Sequence, residues 1–235
     1  MNTDDRQTTL AACQLAYGFL ARAFYEEPES AFIGFLFDEN LFADWPLDST
    51  ARFSQTGLDL LCDFGKGWEE SKLADLQWDY RRLFVGPGPL GAYPWESVHL
   101  GKDHILFDEQ TIAVRQLYRR FGLQASRQRR EPEDHIGLEL AFMTHLCSQG
   151  LAAIEQADQA ALADHLNTQR DFLRDHLLRW APAFAQAVIQ HADTDYYRGV
   201  AYLLLGTLGT AARLFDLELE IRGATLDAAQ IRPVG

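Results

Sequence analysis

Residues 131–150 read EPEDHIGLELAFMTHLCSQG, and the fold is decided from this stretch outward. Pro132 sits where a helix tolerates a missing N–H, and Glu131, Glu133 and Asp134 crowd the first turn, where the helix dipole favours negative charge. Gly150 is placed to close the far end. The spacing therefore predicts a helix bounded by residues 132 and 150. No run without Asp, Glu, Lys or Arg exceeds 15 residues, the length of residues 140–154, which is too short to cross a bilayer.

The same three- and four-residue period recurs on both sides. Leu10, Cys13, Ala16, Tyr17, Leu20 and Phe24 make one apolar face over residues 4–25. Further helices are predicted over residues 29–37, 49–64 (broken by Gly65 and Gly67), 69–84, 108–121 (closed by Gly122), 157–176, 178–191 and 194–222, with a frayed tail over 223–235. Composition agrees, with 30 Ala and 34 Leu against 8 Ile and 6 Val among the 235 residues. Ala and Leu favour helices, whereas a doubly covered parallel sheet needs Val/Ile runs that are absent here. The expected fold is all-α, a single domain of roughly eight to ten helices over residues 1–235, its two halves joined by a linker near 122–131. Between the helices lies a Pro/Gly-rich loop at about 85–103, whose residues 86–94 hold three Gly and three Pro.

The net charge of −13 argues against nucleic acid as a partner, because phosphate backbones are held by basic surfaces. Three cysteines without close spacing exclude a disulfide framework and a CxxC site, and fit a reducing compartment. The polar start MNTDDRQTTL does not read as a signal peptide, so a cytoplasmic protein with no integral membrane segment is expected. Catalytic patterns are missing: the glycines at 86, 88 and 91 lack a GK[ST] ending, there is no GxSxG or HExxH, and the one ExxH pair, Glu96 and His99, falls in the loop. Asp134 beside His135 invites an acid/base reading, set against a structural one in which Glu131 or Glu139 holds the ring. His145, His165, His176 and His191 each stand alone on a helix and are read as structural. The arginines at 115–130 are read as a solvated face paired with carboxylates.

Two segments remain: aromatic residues around the Pro/Gly loop, and the EPEDHIG start. YRRLFVGPGPLGAYPWESV at residues 80–98, followed by EPEDHIGLELAFM at 131–143, resembles the TorD/DmsD family of cytoplasmic molybdoenzyme chaperones, also called redox enzyme maturation proteins. The resemblance is carried by a Y-x-x-L-F-x-G-P-G segment leading to P-W-E-S-V, a close variant of the family's P-x-W-E/G-S-V, and by E-P-x-D-H-x-x-x-E-L, about thirty residues in matching order. It implies a protein that is not an enzyme, needs no cofactor or metal, and binds the twin-arginine leader peptide, the apo form, or both, of a molybdopterin-dependent oxidoreductase of the dimethyl sulfoxide or trimethylamine N-oxide reductase type. Export then waits for cofactor insertion. The alternatives are an assembly factor of the nitrate-reductase type that acts on the enzyme body and, remotely, an enzyme using Asp134 and His135.

A leader with two guanidinium groups and an apolar run calls for carboxylates beside an aromatic groove. The peptide-binding candidates are Tyr80, Leu83, Phe84, Pro94, Trp95, Glu96, Ser97, Val98, Glu131, Asp134 and His135, with Asp134 and Glu96 the foremost carboxylates. Charge reversal at Asp134 is expected to weaken binding with little loss of stability. The resemblance also implies a monomer with a possible domain-swapped dimer exchanging about residues 122–131.

Overall fold

The structure, a computed structural model, describes residues 3–101, 109–124 and 131–220. Among these residues ten α-helices follow in order: α1 Thr3–Tyr25, α2 Ser30–Asp38, α3 Arg52–Lys66, α4 Leu73–Tyr80, α5 Glu96–Leu100, α6 Glu109–Arg120, α7 Ile136–Glu155, α8 Gln159–Phe172, α9 Leu178–His191 and α10 Asp195–Leu214. A 3₁₀ turn, Glu70–Lys72, leads into α4, and π-helical turns continue α4 (Arg81–Val85) and join α8 to α9 (Leu173–Leu177). Among the described residues there is no strand, only an isolated antiparallel bridge between Trp95 and His135. The all-α expectation holds. No helix among those residues is long and apolar enough to cross a membrane.

The two most extensive helix pairs are α1 with α7 and α3 with α10. Small residues set both distances. A Cβ on Gly57 would lie 2.8 Å from the Gly199 carbonyl oxygen, and one on Gly199 2.6 Å from Leu61 Cγ, so α3 and α10 meet backbone to backbone. A Cβ on Gly137, at the start of α7, would come within 2.6 Å of Tyr25 Cβ at the end of α1. Trp180, Tyr17, Tyr196, Tyr197, Phe24 and Phe184 are fully buried between these helices.

Several helix ends differ from expectation. Residues 96–100 inside the expected loop form the short helix α5, because Asp134 supplies a distant acceptor to the Ser97 amide at 2.8 Å. The acids of EPED precede α7 rather than filling its first turn, since His135 is the N-cap. Gly150 does not end that helix; it is buried where Leu10 crosses, and closure falls to Ala157 in the left-handed region at φ 54°. Gly65 likewise stays helical, in contact with the Phe37 ring. The last helix stops at Leu214, not 222, with Asp216 at φ 52°. Gly122, at φ 72°, closes α6 as expected, with the Leu123 amide donating to the Tyr118 carbonyl at 2.9 Å. The expected tail over 223–235 and most of the 122–131 linker lie outside the described residues.

Candidate functional site

The two sequence motifs meet through the backbone. The Glu96 amide donates to the Asp134 carbonyl at 3.0 Å, and the Ile136 amide to the Pro94 carbonyl at 2.8 Å. Side chains extend this junction. Asp134 is fully buried; one carboxylate oxygen accepts from the Ser97 amide and the other from Thr111 Oγ1 on α6, both at 2.8 Å. Glu96 is also fully buried and accepts from His176 Nδ1 at 2.8 Å, which ties α5 to the turn before α9. Glu139 accepts from Trp180 Nε1 at 3.1 Å, and burial, followed by the neighbouring Glu96 and Asp134 charges, pushes its pKa well above the ordinary value. Burial beside the Glu96 and Asp134 carboxylates thus favours the neutral form of Glu139 within this interior polar cluster.

The two foremost carboxylate candidates thus face inward, with their oxygens occupied. Reversing the charge of Asp134 would strip acceptors from Ser97 and Thr111 and bury a cation, so it tests stability before it tests binding. Nor do Asp134 and His135 bond to each other. His135 Nδ1 accepts from the Gly137 amide at 3.0 Å, and burial lowers its pKa from 6.5 to about 3. The ring packs edge-on against Tyr25 and Trp95, and Glu139 is bonded instead to Trp180. Glu133 is taken by Arg115, which donates two bonds at 2.7 and 2.8 Å and holds the carboxyl below its usual pKa.

What faces solvent is a cleft of about 240 Å³ lined by Tyr25, Glu27, Tyr80, Phe84, Val85, Glu131 and His135. Both motifs contribute: Tyr80, Phe84 and Val85 from α4 and its π-turn, Glu131 and His135 from the second. The π-turn rotates Leu83 and Phe84 inward, so that Phe84 lies 5.9 Å from both Phe24 and Phe184 and 5.6 Å from Tyr197. Gly86, at φ 94°, turns the chain away, and the loop returns through Ala92, whose amide donates to the Leu83 carbonyl. Among the described residues Glu131 forms no ion pair, while Glu27 pairs with Arg81.

Of the expected site residues, Tyr80, Phe84, Glu131 and His135 line the cleft. Leu83 and Pro94 are buried beside it, and Trp95 packs on the far side of His135. Glu96, Ser97 and Asp134 hold the two motifs together, and Val98 is half-buried on α5. Tyr25, Glu27 and His176 were not foreseen. The only local hint of Glu27 is the acid pair before Pro28; His176 reaches Glu96 across 80 residues, with no local signal.

Residues 48–186 match the family described as nitrate reductase delta subunit. The Tat proofreading chaperone DmsD of Salmonella typhi is 32% identical over 193 residues, covering 80% of this chain and 83% of that protein. The chaperone protein TorD of Photobacterium profundum is 31% identical over 137 residues, covering 58% of this chain and 62% of that one. The matched segment contains both motifs and every side chain of the cleft except Tyr25 and Glu27, and on these matches the chain belongs to the nitrate reductase delta subunit family that includes the TorD and DmsD chaperones.

Proposed function

We propose that this protein is a cytoplasmic Tat proofreading chaperone that binds the twin-arginine leader of a molybdopterin-dependent oxidoreductase, holding the apo-enzyme back until its cofactor is inserted. The reading is carried by one observation: the two family motifs converge on a single open cleft with aromatic walls and a carboxylate, Glu131, that has no ion pair among the described residues. A leader guanidinium entering there would find Glu131, with Glu27 able to exchange its Arg81 partner for the incoming arginine. Tyr25, Tyr80 and the neutral His135 ring supply flat faces on which a guanidinium stacks. Glu96, Asp134 and His176 serve as positioning residues, because the cleft exists only while the motifs stay joined.

Titration calorimetry with a synthetic leader carrying two consecutive arginines tests this reading. Binding on the order of micromolar or tighter is expected, weakened at least tenfold by Glu131→Arg without a change in melting temperature. Replacing both leader arginines by lysine should also weaken it, since an ammonium cannot reproduce the bidentate geometry. Affinity indifferent to both changes would remove the cleft from the account. The family match by the name nitrate reductase delta subunit favours a second reading, an assembly factor that grips the enzyme body. A client lacking its leader would then bind as well as the intact one.

A further inference from the structure

Eight large apolar side chains are strongly exposed among the described residues, and three of them, Leu15 at 67%, Phe35 at 54% and Leu41 at 39%, line one groove between α1 and α2. The groove encloses about 370 Å³. Its floor is aromatic and rigid: Phe19 meets Phe42 edge-on at 5.4 Å and Trp45 at 5.8 Å. Clustered exposure over a packed aromatic floor marks a surface that is covered in use, because solitary exposed apolar residues are ordinary and a contiguous patch is not.

The position of the groove identifies its occupant. Leu15, Phe19 and Arg22 fall on one stripe of α1, at four- and three-residue steps, and Glu26 follows just past its last residue, its amide donating to the Arg22 carbonyl. Arg22 lines the groove, and with Phe32 it also borders a narrow crevice that runs on to Glu27, a wall of the cleft described above. The cation in this path is neutralised, since Arg22 pairs with Glu26 at 3.0 Å and stacks over the Phe32 ring at 3.7 Å. From Glu27, two residues past the end of α1, back to Leu15 the chain covers about 18 Å at helical rise. The end of α1 therefore borders an acidic cleft, and the stripe leading back from Arg22 opens on an apolar groove.

We infer that the α1–α2 groove binds the apolar run that follows the arginine pair of the leader peptide, so that one peptide occupies cleft and groove together. The inference rests on the leader-binding reading of the cleft. A leader has the matching order, two cations and then an apolar run, and about a dozen helical residues or half as many extended ones span the distance.

The test uses the full chain and two fluorescent peptides, one with the arginine pair and the whole apolar run, the other ending just after the arginines. Leu15→Glu combined with Phe35→Glu should weaken binding of the long peptide at least tenfold and leave the short one within about twofold of wild type. Circular dichroism melting checks that the variant folds, and the milder pair Leu15→Ser with Phe35→Ser repeats the comparison if it does not. Equal affinity of variant and wild type for the long peptide overturns the inference while leaving the cleft reading intact. Equal weakening of both peptides overturns it as well, because the effect would not follow the apolar run. A wild-type protein that binds neither peptide defeats the cleft reading and this inference with it. A dimer seen by sedimentation and abolished by the substitutions, with long-peptide affinity unchanged, assigns the groove to a second copy of the chain and also overturns it.

Discussion

His135 is held neutral by burial, its pKa lowered from 6.5 to about 3, while its Nδ1 accepts the Gly137 amide proton at the start of α7. The unfolded chain takes up that proton near 6.5, so stability is full above this value and falls as pH drops towards 3. At pH 5 the loss from this one ring is about 2 kcal/mol. His135→Asn, which can still cap the helix, should flatten the stability difference between pH 7 and pH 5 in urea unfolding; an unchanged pH slope would refute the assignment. Glu139 has the opposite sign. Its raised pKa means that the folded state keeps a proton the unfolded state loses near 4.5, so its contribution is lost as pH rises from there through the folded value. Glu139→Gln, which can still accept from Trp180 and carries no charge to bury, should be more stable than wild type at pH 8, the gap closing towards pH 4.5. Asp134 and His135 were legible in the sequence as a pair of interest, but their burial was not. A motif shows which residues matter, whereas the direction a carboxylate faces depends on Ser97, Thr111 and the helices that bring them close.

At the level of elements, Ala157 closes α7 at φ 54°, where an L side chain is strained and glycine is not. The Ala157 amide donates to the Ile154 carbonyl at 3.0 Å and the Asp158 amide to that of Ala153 at 2.9 Å, and the residue is exposed, so no packing is at stake. Ala157→Gly should raise stability by about 1 kcal/mol in chemical denaturation; a loss would contradict the capping geometry. Gly199→Ala should do the reverse, because its methyl group meets Leu61 and the Gly57 carbonyl at an interface with no room to spare. About 2 kcal/mol or more of destabilisation is expected, read from the urea midpoint. Helical periodicity in the sequence located the long helices, since an amphipathic face is a local property of spacing. It misplaced the ends at Gly65 and Gly150 because a glycine that admits a crossing side chain is written with the same letter as one that ends a helix. Helix α5 was hidden for a related reason: its Ser97 amide is satisfied by the Asp134 side chain, 37 residues away.

Across the whole molecule, the two motifs are separated in sequence by residues 99–130 and joined in space by the Trp95–His135 bridge and the Asp134 bonds, while the Glu96–His176 contact anchors the first of them to the turn before α9. The net charge of −13 is consequently not one surface property. Glu96, Asp134, Glu139 and Asp79 are interior struts: Asp79 accepts from the Asp193 and Thr194 amides and from Thr194 Oγ1, which pins the start of α10 to α4. Glu131 and Glu27 are the acids presented at the cleft. Motif order was enough to suggest a peptide binder, but the cleft itself was not legible, because Tyr25 and Glu27 come from the end of α1, far from either motif. The most direct test of the central claim is photocrosslinking of a leader peptide that carries a benzophenone beside its arginine pair, with the adducts mapped by mass spectrometry. Adducts concentrated at residues 25–27, 80–85 and 131–135 are expected. Adducts confined to other surfaces, such as the face of α9 around residues 178–183, would contradict that claim.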